Sequence, residues 1–204
     1  SPYRYTNEAY GTPASTPVNY FIDEQLTTYT QDYSAGKTDG TGQVPVVQYV
    51  GGKGWTSRRF GFNGTNAPSS IEIQSGISNI YSGFGAPDVR LDFALNSGNI
   101  GSQIGDAHHV KLTQKNATGS EFVIENYVNE KYYFAHESVS VSPGSVSNNV
   151  KFYLKSEATD TFVSSSSDFS RVSYFKITYP KSPVFTGESF AKIRVPQSPI
   201  NLFF

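Results

Sequence analysis

The sequence predicts an all-β protein, an antiparallel β-sandwich of the jelly-roll type. Its 204 residues include 14 Tyr and 15 Phe, and these aromatic residues favour the pleated surface of a sheet. Several segments alternate apolar and polar residues with a period of two, and none shows the pattern of a long amphipathic helix. Turns rich in Gly, Asn, Ser and Pro separate these segments roughly every 8 to 15 residues, as they do in sandwiches.

Residues 88–95, DVRLDFAL, show the clearest alternation. Successive side chains on a strand point to opposite faces. The residues expected to face the core are therefore Val89, Leu91, Phe93 and Leu95. The residues expected to face solvent are Arg90, Asp92 and Ala94. On this assignment Leu91→Asp should destabilise the fold severely, and Asp92→Asn should be nearly neutral.

The remaining strand candidates occur on both sides of this segment. The first, VNYFIDEQLTTYTQDY, is compatible with a strand or with one short helical stretch. The others, in chain order, are PVVQYV, WTSRRFGF, SSIEIQ, HHVKLTQ, EFVIENYV, YYFAHESVSV, NNVKFYLK and RVSYFKITY. Each is short and bounded by turn residues, which is typical of the strands of a sandwich.

Composition divides the chain into three parts. Residues 1–17 are rich in Pro, Ser, Thr and Tyr and are expected to form an extended arm. Residues 18–181 contain the strand candidates and form the predicted sandwich domain. Residues 182–204 are expected to supply an edge strand and a linker toward a following domain. Because the chain contains no Met, even at position 1, we interpret it as a processed or excised part of a longer protein.

Charge and composition exclude several classes of function. The net charge of −1 gives no field that would attract nucleic acid or an anionic membrane surface. No apolar run is long enough for insertion into a membrane as a helix. The absence of cysteine excludes disulfides, thiolate zinc sites and a cysteine nucleophile. A location outside the cytoplasm is compatible with all of these observations.

Two adjacent histidines, His108 and His109, are the most conspicuous candidates for chemistry. They begin an alternating run in which Val110 and Leu112 share the face of His108. His108 is therefore expected in the core and His109 on the solvent face, which leaves the two poorly placed to bind one metal ion together. His136 is too far away in sequence for its geometry to be inferred.

No other pattern predicts a catalytic site. The serines are numerous, but none lies in a G-x-S-x-G motif. The carboxylates of Asp88 and Asp92, or of Glu121 and Glu125, would lie roughly 13 Å apart on one strand face, which is too far for a glycosidase. We therefore predict no catalytic residue, and a hydrolase with an unrecognised site is the third functional alternative.

Two groups of residues are candidates for ligand binding. Trp55 lies beside Arg58 and Arg59, and a tryptophan with polar neighbours can stack on a sugar ring or a peptide. We favour the simpler interpretation that Trp55 anchors the core. Tyr132 belongs to a tyrosine-rich stretch that would form an exposed patch, although buried tyrosines with hydrogen-bonded hydroxyls explain the same pattern. A carbohydrate-binding module, with a glycan as partner, is accordingly the second functional alternative.

No cofactor motif is present. GGKGW lacks the other residues of a phosphate-binding loop, and DYSAGKTDGTG lacks the spacing of a calcium loop. Asp32 and Asp39 in the latter stretch would still suit a structural calcium ion held mainly by loop carbonyls. No cofactor is predicted, and structural calcium stays an open alternative.

The order of several segments resembles a known family. NYFIDEQ is followed by GGKGWTSRRFGF, DVRLDFAL, HHVKLTQ with NATG, NNVKFYLK and SRVSYFKITYPK. This succession, over residues 18–204, resembles the non-catalytic N-terminal β-domain of gingipain-like type IX secretion sortases of Bacteroidetes. The closing stretch, which ends GESFAKIRVPQSPINLFF, looks like that family's passage from the last strand toward a caspase-like cysteine peptidase domain.

The resemblance implies an accessory role rather than catalysis. In that family the catalytic histidine and cysteine belong to the peptidase domain, and no position of this chain matches them. The implied partners are the downstream peptidase domain or a secreted cargo protein. The implied location is the periplasm, the outer membrane surface or the medium. The gene is then expected to continue past Phe204 into a domain that contains Cys and His.

Overall fold

A computed structural model gives the fold. It describes residues 19–36, 51–61, 69–74, 77–98, 107–130, 133–156 and 169–184. The strands, in chain order, are β1 (Phe21–Thr28), β2 (Asp32–Ala35), β3 (Lys53–Thr56), β4 (Ser70–Gln74), β5 (Val89–Gly98), β6 (Ala107–Lys115), β7 (Glu121–Glu130), β8 (Tyr133–Val141), β9 (Lys151–Ser156) and β10 (Phe169–Lys181). A single 3-10 turn, Pro143–Ser145, follows β8.

Eight of these strands form two antiparallel sheets that enclose one core. Sheet I has the strand order β1-β10-β5-β8, sheet II has the order β4-β9-β6-β7, and β2 with β3 forms a separate hairpin. The pairing is nested: β6 pairs with β7, β5 with β8, β4 with β9 and β1 with β10. This is the strand order of a jelly roll. The predicted antiparallel β-sandwich is confirmed, and the first strand candidate is a strand rather than a helix.

The core lies between the two sheets and is predominantly apolar. The four apolar residues predicted to face inward from β5 are all fully buried. Three aromatic rings join the sheets at the centre, since Phe175 of β10 lies 6.2 Å from Phe93 of β5 and 5.8 Å from Phe152 of β9, centroid to centroid. Burial of each such side chain contributes about 1.5–3 kcal/mol, so these residues dominate the stability of the sandwich.

A β-bulge in β10 changes which side chains reach the outer face of sheet I. The register with β5 shifts by one residue between Val172 and Phe175, and both of these residues remain in the core. The extra residue allows Tyr174 to lie on the outer face, where it lines a cleft. Bulges commonly re-aim a side chain next to a functional site.

The β2–β3 hairpin is bound to the outer face of sheet I. The side-chain amide of Asn96 on β5 donates hydrogen bonds to Ser34 Oγ at 2.9 Å and to the carbonyl oxygen of Gly52 at 2.8 Å. The hairpin also approaches β8 closely, because a Cβ atom at Gly51 would lie 3.2 Å from the ring of Phe134. Part of the outer face is therefore covered.

The structure corrects the expected exposure of two of the three outward residues of β5. Arg90 is exposed as predicted, whereas Ala94 and Asp92 alternate with the core residues as predicted but are buried. Asp92 is enclosed by charged side chains of its own and the neighbouring strand. Alternation identified the correct face but could not show what lies on it.

The outer limits of the predicted domain are not tested by the structure. The predicted arm, residues 1–17, lies outside the described residues, as do residues 185–204 of the predicted tail and the strand candidate PVVQYV. Ser182–Val184 continue irregularly from the end of β10. In the portion of the chain that the structure covers, no helix has the length and apolar character to cross a membrane.

Candidate functional site

Trp55 is exposed, so its interpretation as a core anchor is wrong. It pairs with Tyr33 across the β2–β3 hairpin, and their rings meet edge to face with centroids 5.5 Å apart. Trp55 is 58% exposed and Tyr33 50% exposed. The cause is strand alternation, because Ser34 and Thr56 on the opposite face of the hairpin are buried against sheet I. The hairpin therefore presents an aromatic pair to solvent.

Arg59, predicted to act with Trp55, is engaged in a different contact. Its Nε atom lies 3.3 Å from Asp32 Oδ2, and its guanidinium stacks 4.9 Å from the ring centre of Phe169. Arg171 approaches the same oxygen at 3.3 Å. Two arginines thus neutralise Asp32, which the sequence offered as a calcium ligand, while Asp39 lies outside the described residues.

Arg58 and Tyr132 complete the predicted ligand-binding set. Arg58 is exposed, and its backbone N–H donates to Gln31 Oε1 at 3.1 Å. Tyr132 lies outside the described residues. The neighbouring Tyr133 is half-buried and donates a hydrogen bond to Glu137. Burial and this carboxylate raise the pKa of Tyr133 to about 12. Binding at these positions stays a prediction.

The two adjacent histidines have different surroundings. His108 is buried, as predicted, whereas His109 is half-buried rather than fully exposed. His109 lies opposite Val128, which is exposed on β7, and Val110 beside His108 is buried in the core. Across the described ranges, no group of three or more His, Asp or Glu side chains is arranged to hold a metal ion.

A polar cleft that the sequence did not predict lies on the outer face of sheet I. We call it the outer-face cleft, and its volume is about 400 Å³. It is formed by residues of β5, β8 and β10. Its lining residues are Arg90, Asp92, His136, Glu137, Ser138, Tyr174 and Lys176.

Asp92 forms the charged floor of the outer-face cleft. Its side chain is only 10% exposed, with Arg90 Nε 2.8 Å from Oδ1 and Lys176 Nζ 3.4 Å from Oδ2. Burial opposes ionisation, but the Ser138 hydroxyl, the Arg90 guanidinium and the Lys176 ammonium together hold the pKa of Asp92 below its ordinary value. The carboxylate is therefore charged at neutral pH.

Aromatic rings form one wall of the cleft. His136 Nδ1 and the Tyr174 hydroxyl share a hydrogen bond of 3.1 Å, and their ring centroids are 5.9 Å apart. Phe134 meets His136 edge to face at 5.3 Å. The sequence offered no signal for the contact between His136 and Tyr174, because it depends on the pairing of β8 and β10 with β5, whereas Phe134 and His136 are neighbours on one face of β8.

The buried, ion-paired state of Asp92 changes the expected effect of Asp92→Asn. We expect a loss of about 1–2 kcal/mol in the free energy of unfolding at pH 7, because the substitution removes the charge that strengthens the hydrogen bond from Arg90. Because the pKa of Asp92 in the folded state lies below its ordinary value of 3.8, the ionised carboxylate stabilises the folded protein above pH 3.8. This stabilisation is lost as the pH falls through the folded-state pKa. Urea unfolding from pH 7 to pH 3 should therefore show a smaller acid-induced loss in the variant.

The matched control is Asp88→Asn, at an exposed carboxylate just before β5. It should change the unfolding free energy by less than about 0.5 kcal/mol and leave its pH dependence as in the wild type. Equal behaviour of the two variants would show that the ion pairs around Asp92 contribute nothing to stability.

A second surface lies where the edges of the two sheets meet. The edge groove, about 550 Å³ in volume, runs between residues 122–125 of β7 and 139–141 of β8. Phe122 and Val123 in this groove are exposed to about half of their full extent, and Val128 further along β7 is 60% exposed. Glu125 supplies a carboxylate. The groove therefore joins an apolar surface to a strand edge.

Comparison with known proteins places the fold. No protein-family profile matches the sequence, and no curated protein has a significantly similar sequence. The fold is similar to part of the crystal structure of dimeric latent PorU from Porphyromonas gingivalis, with a TM-score of 0.56 and 12% sequence identity. The similarity covers 93% of this chain and 15% of the PorU chain. At this identity the likeness establishes a shared β-fold, and this chain spans about 15% of the length of that protein.

Proposed function

We propose that this chain is a non-catalytic, protein-binding domain of a secreted or surface-located bacterial protein related to type IX secretion. Its sequence resembles the N-terminal β-domain of type IX secretion sortases, and its fold recurs in PorU, a sortase of that system. A match to only 15% of the PorU chain supports a role as one domain of a larger protein. The proposed location is outside the cytoplasm.

The edge groove is the observation that carries the protein-binding role. Among the described strands, β7 pairs with β6 alone, so its other edge is available for an added strand. Exposed apolar edge strands readily pair with a further polypeptide. Phe122 and Val123 supply apolar contacts, and Glu125 favours a basic residue in the partner. We propose an extended segment of the adjoining peptidase domain as the occupant.

A binding experiment in two stages tests this role. The reading frame beyond Phe204 should first encode a domain that contains Cys and His. That domain, produced separately, should then bind this chain in calorimetry. The Val123→Lys variant should bind at least about tenfold more weakly, because it places a charge in the apolar groove.

The control is Leu26→Lys, an equally radical change at an exposed residue of β1, on the opposite edge of sheet I. It should bind as the wild type does. A stop codon shortly after Phe204 would contradict the proposal, as would equal affinity of the Val123→Lys and wild-type chains. Fractionation of the native host should place the protein outside the cytoplasm.

A further inference from the structure

The outer face of sheet II carries lysines on its two central strands, β6 and β9. The surface comprises Lys111 and Lys115 of β6 and Lys151, Tyr153 and Lys155 of β9. The residues between them on both strands are buried on the core side, so these five side chains share the outer face. The side chains of Lys151 and Lys155 are 49% and 35% exposed, which makes them accessible to a partner. We call this surface the basic face.

The four lysines of the basic face form two pairs of like charges across neighbouring strands. Lys111 lies directly opposite Lys155, and Lys115 lies directly opposite Lys151. Like charges in this position destabilise a sheet, so the arrangement costs the fold free energy. An anionic partner that covers the face would offset this repulsion.

Two glutamates at the margins of the basic face neutralise part of its charge. Glu72 of β4 accepts hydrogen bonds from Lys151 Nζ at 3.0 Å and from the Tyr153 hydroxyl at 3.2 Å. Glu121 of β7 accepts a hydrogen bond from Lys155 Nζ at 2.6 Å, and this bond holds the pKa of Glu121 below its ordinary value. Four lysines and two glutamates leave the described side chains of this surface with a net positive charge, whereas the whole chain carries −1.

The surroundings of the basic face restrict the kind of anion. It has no arginine among its described side chains, so a phosphate finds no planar fork for a bidentate contact. Because the whole chain is slightly acidic, a long uniform polyanion that extended past the lysines would meet a net acidic surface. Val128 of β7, opposite His109 on the same face, is 60% exposed and adds an apolar contact. A polypeptide can supply both carboxylates and apolar side chains within a short segment.

We infer that the basic face binds an acidic segment of a partner polypeptide, with carboxylates on the lysines and an apolar side chain on Val128. Lys111 and Lys115 are separated by roughly 13 Å along β6, a length that about five residues of extended chain span. This inference goes beyond the proposed function, because it concerns a second surface with the opposite charge preference. The edge groove contains Glu125 and favours a basic partner, so the two surfaces select different segments.

Fluorescence anisotropy with a short labelled peptide, in which Glu alternates with Ala and Leu, tests the inference. The chain should bind this peptide with a Kd of roughly 100 μM at low salt. A peptide with Gln in place of Glu should bind at least about tenfold more weakly, and added NaCl should weaken the binding of the acidic peptide.

Lys111→Glu should weaken the binding of the acidic peptide at least about tenfold. It should not lower the urea midpoint, because it replaces a like-charge pair with an opposite-charge pair facing Lys155. Lys151→Gln, at the more exposed of the two β9 lysines, should weaken binding about threefold and carries the test if Lys111→Glu does not fold.

The matched control is Lys53→Glu, the same charge reversal on the hairpin that covers sheet I, on the other side of the sandwich. It should bind the acidic peptide as the wild type does. Val123→Lys, which should weaken binding at the edge groove, should bind the acidic peptide at least as tightly as the wild type. The two surfaces can therefore fail independently.

Three results would overturn the inference. The first is no binding of the acidic peptide at roughly 1 mM, well above the expected Kd. The second is an equal loss of binding in Lys53→Glu and Lys111→Glu, which would indicate a general charge effect. The third is tighter binding of single-stranded DNA or oligomeric alginate of the same charge, which would assign the basic face to a different polyanion.

Discussion

The Leu91→Asp variant is expected to be unfolded at 25 °C. Leu91 is fully buried on β5, where it lies opposite Ile177 of β10 and Val139 of β8. The substitution removes about 2 kcal/mol of apolar burial and adds several kcal/mol for a carboxylate without a partner in the core. Since domains of this size are stable by only about 5–15 kcal/mol, most or all of the folding free energy is lost. Far-ultraviolet circular dichroism and urea unfolding would show this directly.

Leu26→Asp is the matched control, because it is the same chemical change at a leucine that is 61% exposed on β1. It should alter the unfolding free energy by less than about 0.5 kcal/mol. If Leu91→Asp instead unfolds cooperatively at the urea midpoint of the wild type, the assignment of inner and outer faces to β5 is wrong.

The success of this assignment has a simple physical origin. Successive side chains of a strand must point to opposite faces, so one clearly apolar face fixes the orientation of a whole segment. This local rule was sufficient to place Leu91 and His108 in the core from the sequence alone. It operates without any knowledge of which strands are neighbours.

The outer-face cleft required information of a different kind. Asp92 lies opposite Lys176 on β10 and Ser138 on β8, and these residues are far apart in sequence. Their contact depends on the nested pairing of the strands and on the bulge before Phe175. A period-two pattern classifies Asp92 as outward but contains no register, so the sequence could not distinguish a solvated carboxylate from a buried one.

Trp55 was misplaced for a related reason. A large aromatic residue beside a glycine-rich turn usually belongs to the core, but β3 belongs to a hairpin that covers the outside of sheet I. The hairpin buries its small polar side, with Ser34 bonded to Asn96, and turns its aromatic side to solvent. The small polar side chains of the hairpin can be buried because sheet I provides hydrogen-bonding partners for them.

Strand β8 contributes to both surfaces. His136, Glu137 and Ser138 line the outer-face cleft, while Val139, Ser140 and Val141 line the edge groove. The two surfaces therefore adjoin along one strand.

The Phe175→Ala variant is expected to lose about 3–5 kcal/mol of unfolding free energy. Phe175 is fully buried, and its ring is the link between Phe93 of sheet I and Phe152 of sheet II. Truncation leaves a cavity at the centre of the sandwich, and the rigid strands on either side can close it only in part. Urea unfolding should show a much lower midpoint with an unchanged m-value.

Phe84→Ala provides the matched control, because the side chain of Phe84 is fully exposed before β5. It should change the unfolding free energy by less than about 0.5 kcal/mol. Phe175→Leu, which refills most of the cavity, should fall between the two variants. If Phe175→Ala were no less stable than Phe84→Ala, the central ring contacts could not be what holds the two sheets together, and the core would have to depend on its aliphatic residues instead.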